Sequence, residues 1–141
     1  MKELLENITG VKQFTIEHSP TWAECTVEID FDLEFDWGGK KVKAAHIIKE
    51  CVEFWGSWER DLAEAKGDYL QLFLINLCRS VLTTQFTGDW NKEGVIEQYE
   101  SKEGWMKLDG SMGVKLMFVE GITIEDKEEY TVKQVFFPKD R

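Results

Sequence analysis

Hydrophobic and polar positions alternate without interruption from Val27 to Trp37. Apolar residues there interleave with five acidic ones, which are Glu28, Asp30, Asp32, Glu34 and Asp36. Because side chains on a β-strand point to opposite faces with period two, the pattern predicts a strand with one hydrophobic face and one carboxylate face. Successive carboxylates would lie about 6.8 Å apart. We expect this acidic strand to run from about residue 23 to residue 37 and to end at Gly38–Gly39.

Apolar residues at helical spacing predict a helix from Val42 to Ala65, which Gly56–Ser57 kinks or splits. Gly67 suits a C-terminal cap and Asp68 an N-cap, so a second helix should begin at Tyr69 and run to about residue 85. The apolar arc of this second helix is too wide for a surface helix, which places it at the centre of the protein. A shorter helix should follow the loop at residues 87–91 and end near residue 100.

Further strands are expected at residues 12–17, 114–119 and 130–137. The resulting order, β-β-α-α-α-β-β, predicts an α+β fold in which a helical layer packs on one face of an antiparallel sheet. A chain of 141 residues is long enough to bury its own core, so we expect a single domain over residues 1–141.

The charge balance narrows the classes of partner. With 27 acidic and 17 basic residues, the chain carries a formal charge of −10, which disfavours direct binding to nucleic acid or to an anionic membrane. The balance favours a basic protein surface as partner. The three cysteines lack metal-ligand spacing, which predicts reduced thiols in a cytoplasmic protein. The sequence also has no apolar run of membrane-spanning or signal-peptide length, which favours the same location.

Catalytic and metal-binding motifs are not apparent in the sequence. His46 and Glu50 share a helix face, but two ligands do not make a metal site. A catalytic Cys51–His46 pair is disfavoured because the two residues are five apart on one helix and lie on different faces. A calcium site at Asp30, Asp32 and Glu34 is disfavoured because these residues lack the spacing of a calcium-binding loop. We therefore expect a protein that is not an enzyme and has no metal or other cofactor.

Two interpretations of the acidic strand are open. Its carboxylates form either the solvated face of the sheet, neutralised across neighbouring strands by Lys12, Lys115 and Lys133, or a docking surface for a basic groove. One carboxylate row reaches only about half the charge density of a DNA strand, which carries one phosphate per about 3.4 Å, so duplex mimicry would need further acids. Trp58 and Trp90 fit the inward pattern least well, and they are candidates for an exposed recognition patch.

Several motifs resemble those of a known family. They are Phe54–Trp55, Arg60, Gly67–Asp68, Glu103–Gly104–Trp105 and Asp109–Gly110–Ser111, together with the apolar second helix. In these features the chain is similar to an uncharacterised family of small proteins encoded by bacteriophages, prophages and other mobile elements. The resemblance covers about residues 47–113, so the acidic strand lies outside it. It implies no activity, but small acidic phage proteins are often inhibitors of host systems.

The sequence thus favours a binding protein of phage type whose partner site comprises Glu28, Asp30, Asp32, Glu34, Asp36, Trp58 and Trp90. The expected target is a host protein that handles nucleic acid, such as a CRISPR effector or a restriction enzyme. The alternatives are a phage accessory protein that self-associates, for example as a homodimer, and a binder of a small ligand with a pocket between sheet and helices.

Overall fold

The computed structural model describes residues 5–19, 23–55, 58–64, 67–102, 104–120 and 129–135. After a short 3-10 helix at Leu5–Asn7, the strands are β1 (Val11–Ser19), β2 (Ala23–Asp30), β3 (Phe35–Trp37), β4 (Lys40–Val42), β5 (Val114–Glu120) and β6 (Glu129–Val135). The helices are α1 (Ala44–Phe54), α2 (Trp58–Glu64), α3 (Tyr69–Gly88) and α4 (Lys92–Gln98). The α+β class predicted from the sequence is confirmed.

Four strands form an antiparallel sheet in the order β5-β2-β1-β6. Alternate residues of β1 and β2, such as Phe14, Ile16, Val27 and Ile29, are buried on one face of this sheet. The central helix α3 packs there, since it contacts all four strands and the other three helices. The expectation that the second predicted helix is the central buried element is therefore confirmed.

Local sequence signals account for the ends of the helices. The Asp68 carboxylate accepts a hydrogen bond from the Gln71 N–H at 3.0 Å, which caps α3 as predicted. Asn91 caps α4 in the same way through the Gly94 N–H, at 2.8 Å. The predicted first helix is divided into α1 and α2, and the Gly56–Ser57 pair at the division lies outside the described residues.

The acidic strand does not run to residue 37. Strand β2 ends at Asp30, the chain turns at residues 31–34, and residues 35–42 form a separate two-stranded sheet of β3 and β4. Gly38 and Gly39 are therefore the two-residue loop of a hairpin rather than the end of a long strand. Both have positive φ, 60° and 85°, as a type I′ turn requires, and glycine adopts that conformation readily.

The buried hydrophobic side chains of the described residues form one cluster between the sheet and the helices. None of the helices in the described ranges is both long and apolar enough to cross a membrane. The single-domain expectation for residues 1–141 also concerns the segments outside these ranges, and it stays a prediction.

Candidate functional site

The carboxylates of Asp30 and Asp32 stabilise the turn that ends β2. The Asp30 carboxylate accepts hydrogen bonds from the backbone N–H groups of Asp32, at 3.0 Å, and Leu33, at 3.2 Å. The Asp32 carboxylate accepts one from the Gly10 N–H at 3.1 Å. Aspartate commonly favours turns through such side-chain-to-backbone bonds, and here they compete with the continuation of the strand.

The expected continuous row of carboxylates on one strand is therefore wrong. Glu28 and Asp30 lie on β2, Asp32 and Glu34 in the turn at residues 31–34, and Asp36 on β3. Asp36 forms an exposed ion pair with Lys41 on the neighbouring strand, with Nζ and Oδ1 at 3.3 Å. Strand geometry thus does not set the spacing of these charges, and whether they bind a partner stays a prediction.

The register of the sheet answers part of the question about neutralising lysines. Lys115 is directly opposite Glu28 on the neighbouring strand. Lys12 is opposite the buried Ile29, so it belongs to the face that carries the helices. Lys133 pairs with Thr15 along the backbone, and its side chain lies outside the described residues. Lys115 is thus in register to offset the charge of Glu28, whereas Lys12 is not.

The two predicted recognition tryptophans have different surroundings. Trp58 begins α2, and its side chain lies outside the described residues. Trp90 is 41% exposed and covers the ends of two helices. A Cβ atom at Gly88 would lie 2.1 Å from the indole nitrogen of Trp90, and one at Gly94 would lie 2.9 Å from its ring. Trp90 therefore packs on both glycines where α3 passes into α4.

The structure brings together a different set of residues, which sequence reasoning did not find. Trp37 from β3, Phe54 at the end of α1 and Trp105 surround a cleft of about 160 Å³ with Glu50 at its side, and we call it the aromatic cleft. Its lining is completed by Ile47, Cys51 and Gly104. Trp37 is 38% exposed and Phe54 is 59% exposed. These two rings are therefore accessible to a partner.

Hydrogen bonds and close packing hold the cleft in shape. Glu50 accepts a hydrogen bond from the indole N–H of Trp37 at 3.1 Å, and its other carboxylate oxygen lies 2.9 Å from Nε2 of His46. The Phe54 ring rests on Gly104, where an added Cβ atom would lie 2.8 Å from the ring. Trp105 contacts Trp55, with ring centroids 5.0 Å apart. The position of each wall is thus set by a contact with another element.

Both acidic and basic side chains lie near the cleft, since Lys40 is opposite Trp37 on β4 and Lys41 pairs with Asp36. Glu53, one residue before Phe54, accepts a hydrogen bond from the Tyr69 hydroxyl at 3.0 Å, and Asp36 precedes Trp37. A carboxylate has about four acceptor positions, so Glu50 retains acceptor capacity after its two contacts. Exposed rings beside carboxylates form a surface that suits a cationic group.

The signal for the cleft was present in the sequence but ambiguous. A Gly-Gly pair between two short segments of strand-like sequence is typical of a hairpin. Such a hairpin would have turned Trp37 away from the hydrophobic face of the predicted strand. Phe54 lies at the last position of α1, where a side chain can extend past the helical layer. Its closeness to Gly104, fifty residues further along the chain, has no local signature.

The three cysteines are buried and reduced. Burial and, to a smaller extent, the nearby Glu50 charge together raise the pKa of the Cys51 thiol to about 12. A hydrogen bond with Cys78 and burial raise the pKa of the Cys25 thiol well above its ordinary value. These two thiols therefore stay protonated at neutral pH. His46, which was considered as a partner of Cys51, contacts Glu50 through its Nε2 atom. Across the part of the chain that the structure describes, no group of three or more His, Cys, Asp or Glu side chains could hold a metal ion.

Comparisons with known proteins place the chain among phage proteins. Residues 26–132 match the model of a family described as "Protein of unknown function (DUF2528)". The chain is 26% identical over 132 residues to protein ea10 of Escherichia phage lambda, covering 89% of this chain and 98% of that protein. The same values hold for the lambda prophage-derived protein ea10 of Escherichia coli O6:H1. No solved structure matches the chain.

The family match confirms the resemblance to an uncharacterised phage family and extends it. It begins at residue 26, so the segment from Glu28 to Asp36 lies inside the matched region and not outside it as expected. It also includes the aromatic cleft and the strand β5. Because the family model spans more than half of the chain, the protein belongs to the DUF2528 family of proteins of unknown function.

Proposed function

We propose that this protein is a non-enzymatic binding protein that docks on a positively charged surface of a host protein, with the aromatic cleft as the centre of the contact. An arginine or lysine side chain of the partner enters the cleft between Trp37 and Phe54 and faces Glu50. The observation that carries the proposal is the pair of exposed aromatic rings beside a carboxylate that is held in place by Trp37 and His46.

The size of the cleft supports a single side chain as its occupant. Its volume of about 160 Å³ is smaller than the roughly 300–1,000 Å³ of typical small-molecule sites. A cation over an aromatic face contributes about 0.5–1 kcal/mol at an exposed site and about 2 kcal/mol when it is desolvated. Interfaces depend on a few such contacts, in which tryptophan and arginine are over-represented.

The charge of the protein supports the same kind of partner. A formal charge of −10 accelerates the encounter with a basic surface, and exposed Glu34 adjoins the hairpin that carries Trp37. Asp30 and Asp32 contribute to the field although their carboxylates already bind backbone N–H groups. The phage and prophage origin of the relatives suits a host target that handles nucleic acid, such as a restriction enzyme or a CRISPR effector, which the protein would inhibit by occupying the nucleic-acid path.

A defined peptide tests the contact directly. Fluorescence anisotropy would measure binding of a labelled nona-arginine peptide, with a nona-glutamine peptide as the neutral control. We expect binding that weakens between low and moderate salt. Phe54→Ala and Glu50→Gln should each weaken it about tenfold, an effect of about 1.4 kcal/mol.

The matched controls come from the same protein. Phe86 is 58% exposed on α3, so Phe86→Ala removes an equally exposed ring away from the cleft. The Glu93 side chain is 72% exposed on α4, and Glu93→Gln removes the same charge as Glu50→Gln. If the control variants weaken binding as much as the cleft variants, or if binding is indifferent to salt, the proposed contact is wrong.

The inhibitory role has its own test. The protein is expressed in bacteria that carry a restriction or CRISPR system, and the plating efficiency of a targeted phage is measured. We expect the wild-type protein to raise plating efficiency and Phe54→Ala to do so less, with Phe86→Ala equal to wild type. If wild-type protein leaves plating unchanged against a panel of both system types, the anti-defence role is refuted.

Self-association is the second candidate, and one observation favours it. Phe118 is 42% exposed on β5, where it is opposite Thr26 on the face of the sheet away from the helices. An exposed ring on the sheet face opposite the helices suits a contact with a second copy. Light scattering after size-exclusion chromatography would show a dimer that Phe118→Lys dissociates if this alternative holds, and a monomer at all concentrations if it does not.

A further inference from the structure

We infer that the aromatic cleft selects arginine over lysine, because Glu50 offers the pair of acceptor positions that a guanidinium fills in parallel. The inference rests on the proposed function and names the side chain that the partner contributes. Lysine is the relevant competitor, since the two side chains carry the same charge and are steered alike by the acidic chain. The selectivity therefore has to come from the hydrogen-bonding groups and the walls of the cleft.

The described contacts of Glu50 use one acceptor position on each carboxylate oxygen. Its Oε1 atom accepts the indole N–H of Trp37 at 3.1 Å, and its Oε2 atom lies 2.9 Å from Nε2 of His46. A carboxylate oxygen has two lone pairs, so each oxygen can accept one further hydrogen bond. Arginine donates two parallel N–H bonds to a carboxylate, one to each oxygen, whereas the ammonium of lysine acts as a point charge.

The same two contacts hold the carboxylate in place before a partner arrives. Trp37 reaches it from β3, and His46 lies one helical turn before Glu50 on α1. A bidentate pair requires a defined orientation of the carboxylate, and a group that is already restrained loses less conformational freedom on binding. This restraint favours the planar head group of arginine more than the rotatable donors of lysine.

The apolar walls of the cleft favour the more weakly hydrated cation. Ile47 and Cys51 are buried and line the cleft beside the rings of Phe54 and Trp105. A side chain that enters loses water from its head group, and an ammonium is hydrated more strongly than a guanidinium. A guanidinium also stacks on aromatic faces. The cost of dehydration and the contact with the rings thus both favour arginine.

The end of α1 contributes further acceptors. Glu50, Cys51 and Phe54 line the cleft from the end of this helix, which closes at Phe54. The last carbonyl groups of a helix lack intrahelical partners and carry a partial negative charge, and the last turn of α1 has no basic residue. Arginine has five N–H donors and lysine has three. Arginine therefore retains more donors for the helix end after it has bonded to both oxygens of Glu50.

A lysine of the chain itself provides a control for charge. Lys40 is exposed and lies opposite Trp37 in the hairpin of β3 and β4. Its charge repels an arginine and a lysine of the partner alike, so Lys40→Gln should tighten the binding of both by the same factor. This variant measures what charge alone contributes near the cleft.

Two peptides of equal charge test the selectivity. Fluorescence anisotropy would measure the binding of labelled nona-arginine and nona-lysine to the full-length protein at one salt concentration. We expect wild type to bind nona-arginine about tenfold more tightly. Glu50→Gln leaves a single acceptor oxygen, so it should weaken the binding of nona-arginine about tenfold and that of nona-lysine less, which brings the two constants within about threefold. Glu93→Gln removes the same charge on α4 and should leave the preference unchanged.

A second variant changes the support of Glu50 without removing its charge. Trp37→Phe retains an aromatic ring but removes the indole N–H that Oε1 of Glu50 accepts. We expect it to narrow the preference for nona-arginine about threefold, since the carboxylate is then held by one contact fewer. A role of Trp37 in packing alone would weaken the binding of both peptides by the same factor and leave their ratio at the wild-type value.

The outcomes separate this inference from the proposed function. If Phe54→Ala weakens the binding of both peptides but wild type binds them equally, the cleft is the contact site and the selectivity for arginine is wrong. The selectivity is also wrong if Glu50→Gln and Trp37→Phe both keep the wild-type preference. If neither Phe54→Ala nor Glu50→Gln weakens the binding of either peptide, the proposed function itself fails and this inference fails with it.

Discussion

Asp30 offers the sharpest test of the corrected acidic segment, because the structure assigns it a role in a turn and not in a row of surface charges. Its carboxylate accepts the N–H groups of Asp32 and Leu33. Each hydrogen bond of this kind contributes about 0.5–1.5 kcal/mol to the free energy of unfolding. Since the bond to Asp32 is exposed and water can replace it, we expect Asp30→Ala to cost about 1–2 kcal/mol in total.

The isosteric variant separates the hydrogen bonds from the charge. Asparagine retains the oxygen that accepts both N–H groups, so Asp30→Asn should stay within about 0.5 kcal/mol of wild type. Glu28→Gln and Glu28→Ala are the controls on the regular part of β2, and surface changes of this kind are expected within about 0.5 kcal/mol.

Urea denaturation followed by tryptophan fluorescence measures these differences. Thermal unfolding should show a fall of about 2–8 °C in the melting temperature for Asp30→Ala, if 1 kcal/mol corresponds to about 2–4 °C in a protein of this size. The reasoning is refuted if Asp30→Asn is as destabilised as Asp30→Ala, since charge would then be decisive. It is refuted equally if Asp30→Ala is no worse than Glu28→Ala.

Three further predictions concern other parts of the fold. Gly38→Val should lower the free energy of unfolding by about 1–2 kcal/mol because the φ of Gly38 is 60°, whereas Gly38→Asn should lower it less. Equal losses of the two variants in urea denaturation would contradict a type I′ turn. The buried thiols, with the pKa of Cys51 at about 12, should react with Ellman's reagent slowly in native protein and rapidly in denaturant; fast native labelling would contradict their burial. Hydrogen bonds from Ser111 lower the pKa of Asp109 from its ordinary 3.8. Wild type should therefore be more stable than Asp109→Asn above pH 3.8, and this advantage should disappear as the pH falls through the lower pKa of the folded state. An advantage that grows at acid pH would contradict the lowered pKa.

Much of the helical layer could be predicted from the sequence because its signals are local. The cap residue Asp68 and the broad apolar arc of α3 are encoded within one or two helical turns, and the structure confirms both. The Asn91 cap of α4, which was not predicted, is equally local. The turn at Asp109–Gly113 is equally local, since the Asp109 carboxylate accepts hydrogen bonds from Ser111 only two residues away.

Alternation of hydrophobicity was not sufficient for the acidic segment. A strand and a strand–turn–hairpin can show the same alternating sequence, and hydrogen bonds from the Asp32 and Leu33 N–H groups to Asp30 and from the Gly10 N–H to Asp32 favour the turn here. The contact with Gly10 depends on β1 being paired beside β2, which the alternation of one segment does not encode. The wrong expectation of a continuous carboxylate row has this cause.

The sequence by itself determined the α+β class, the central helix and the net negative charge. Periodicity and capping are properties of short segments, and net charge is a property of the overall composition. Only the tertiary structure decided which side chains meet. Trp37, Phe54 and Trp105 converge on one cleft, although they lie far apart in the sequence. Such convergence follows from the packing of α1 against α3 and of α3 against the sheet, and no local pattern records it.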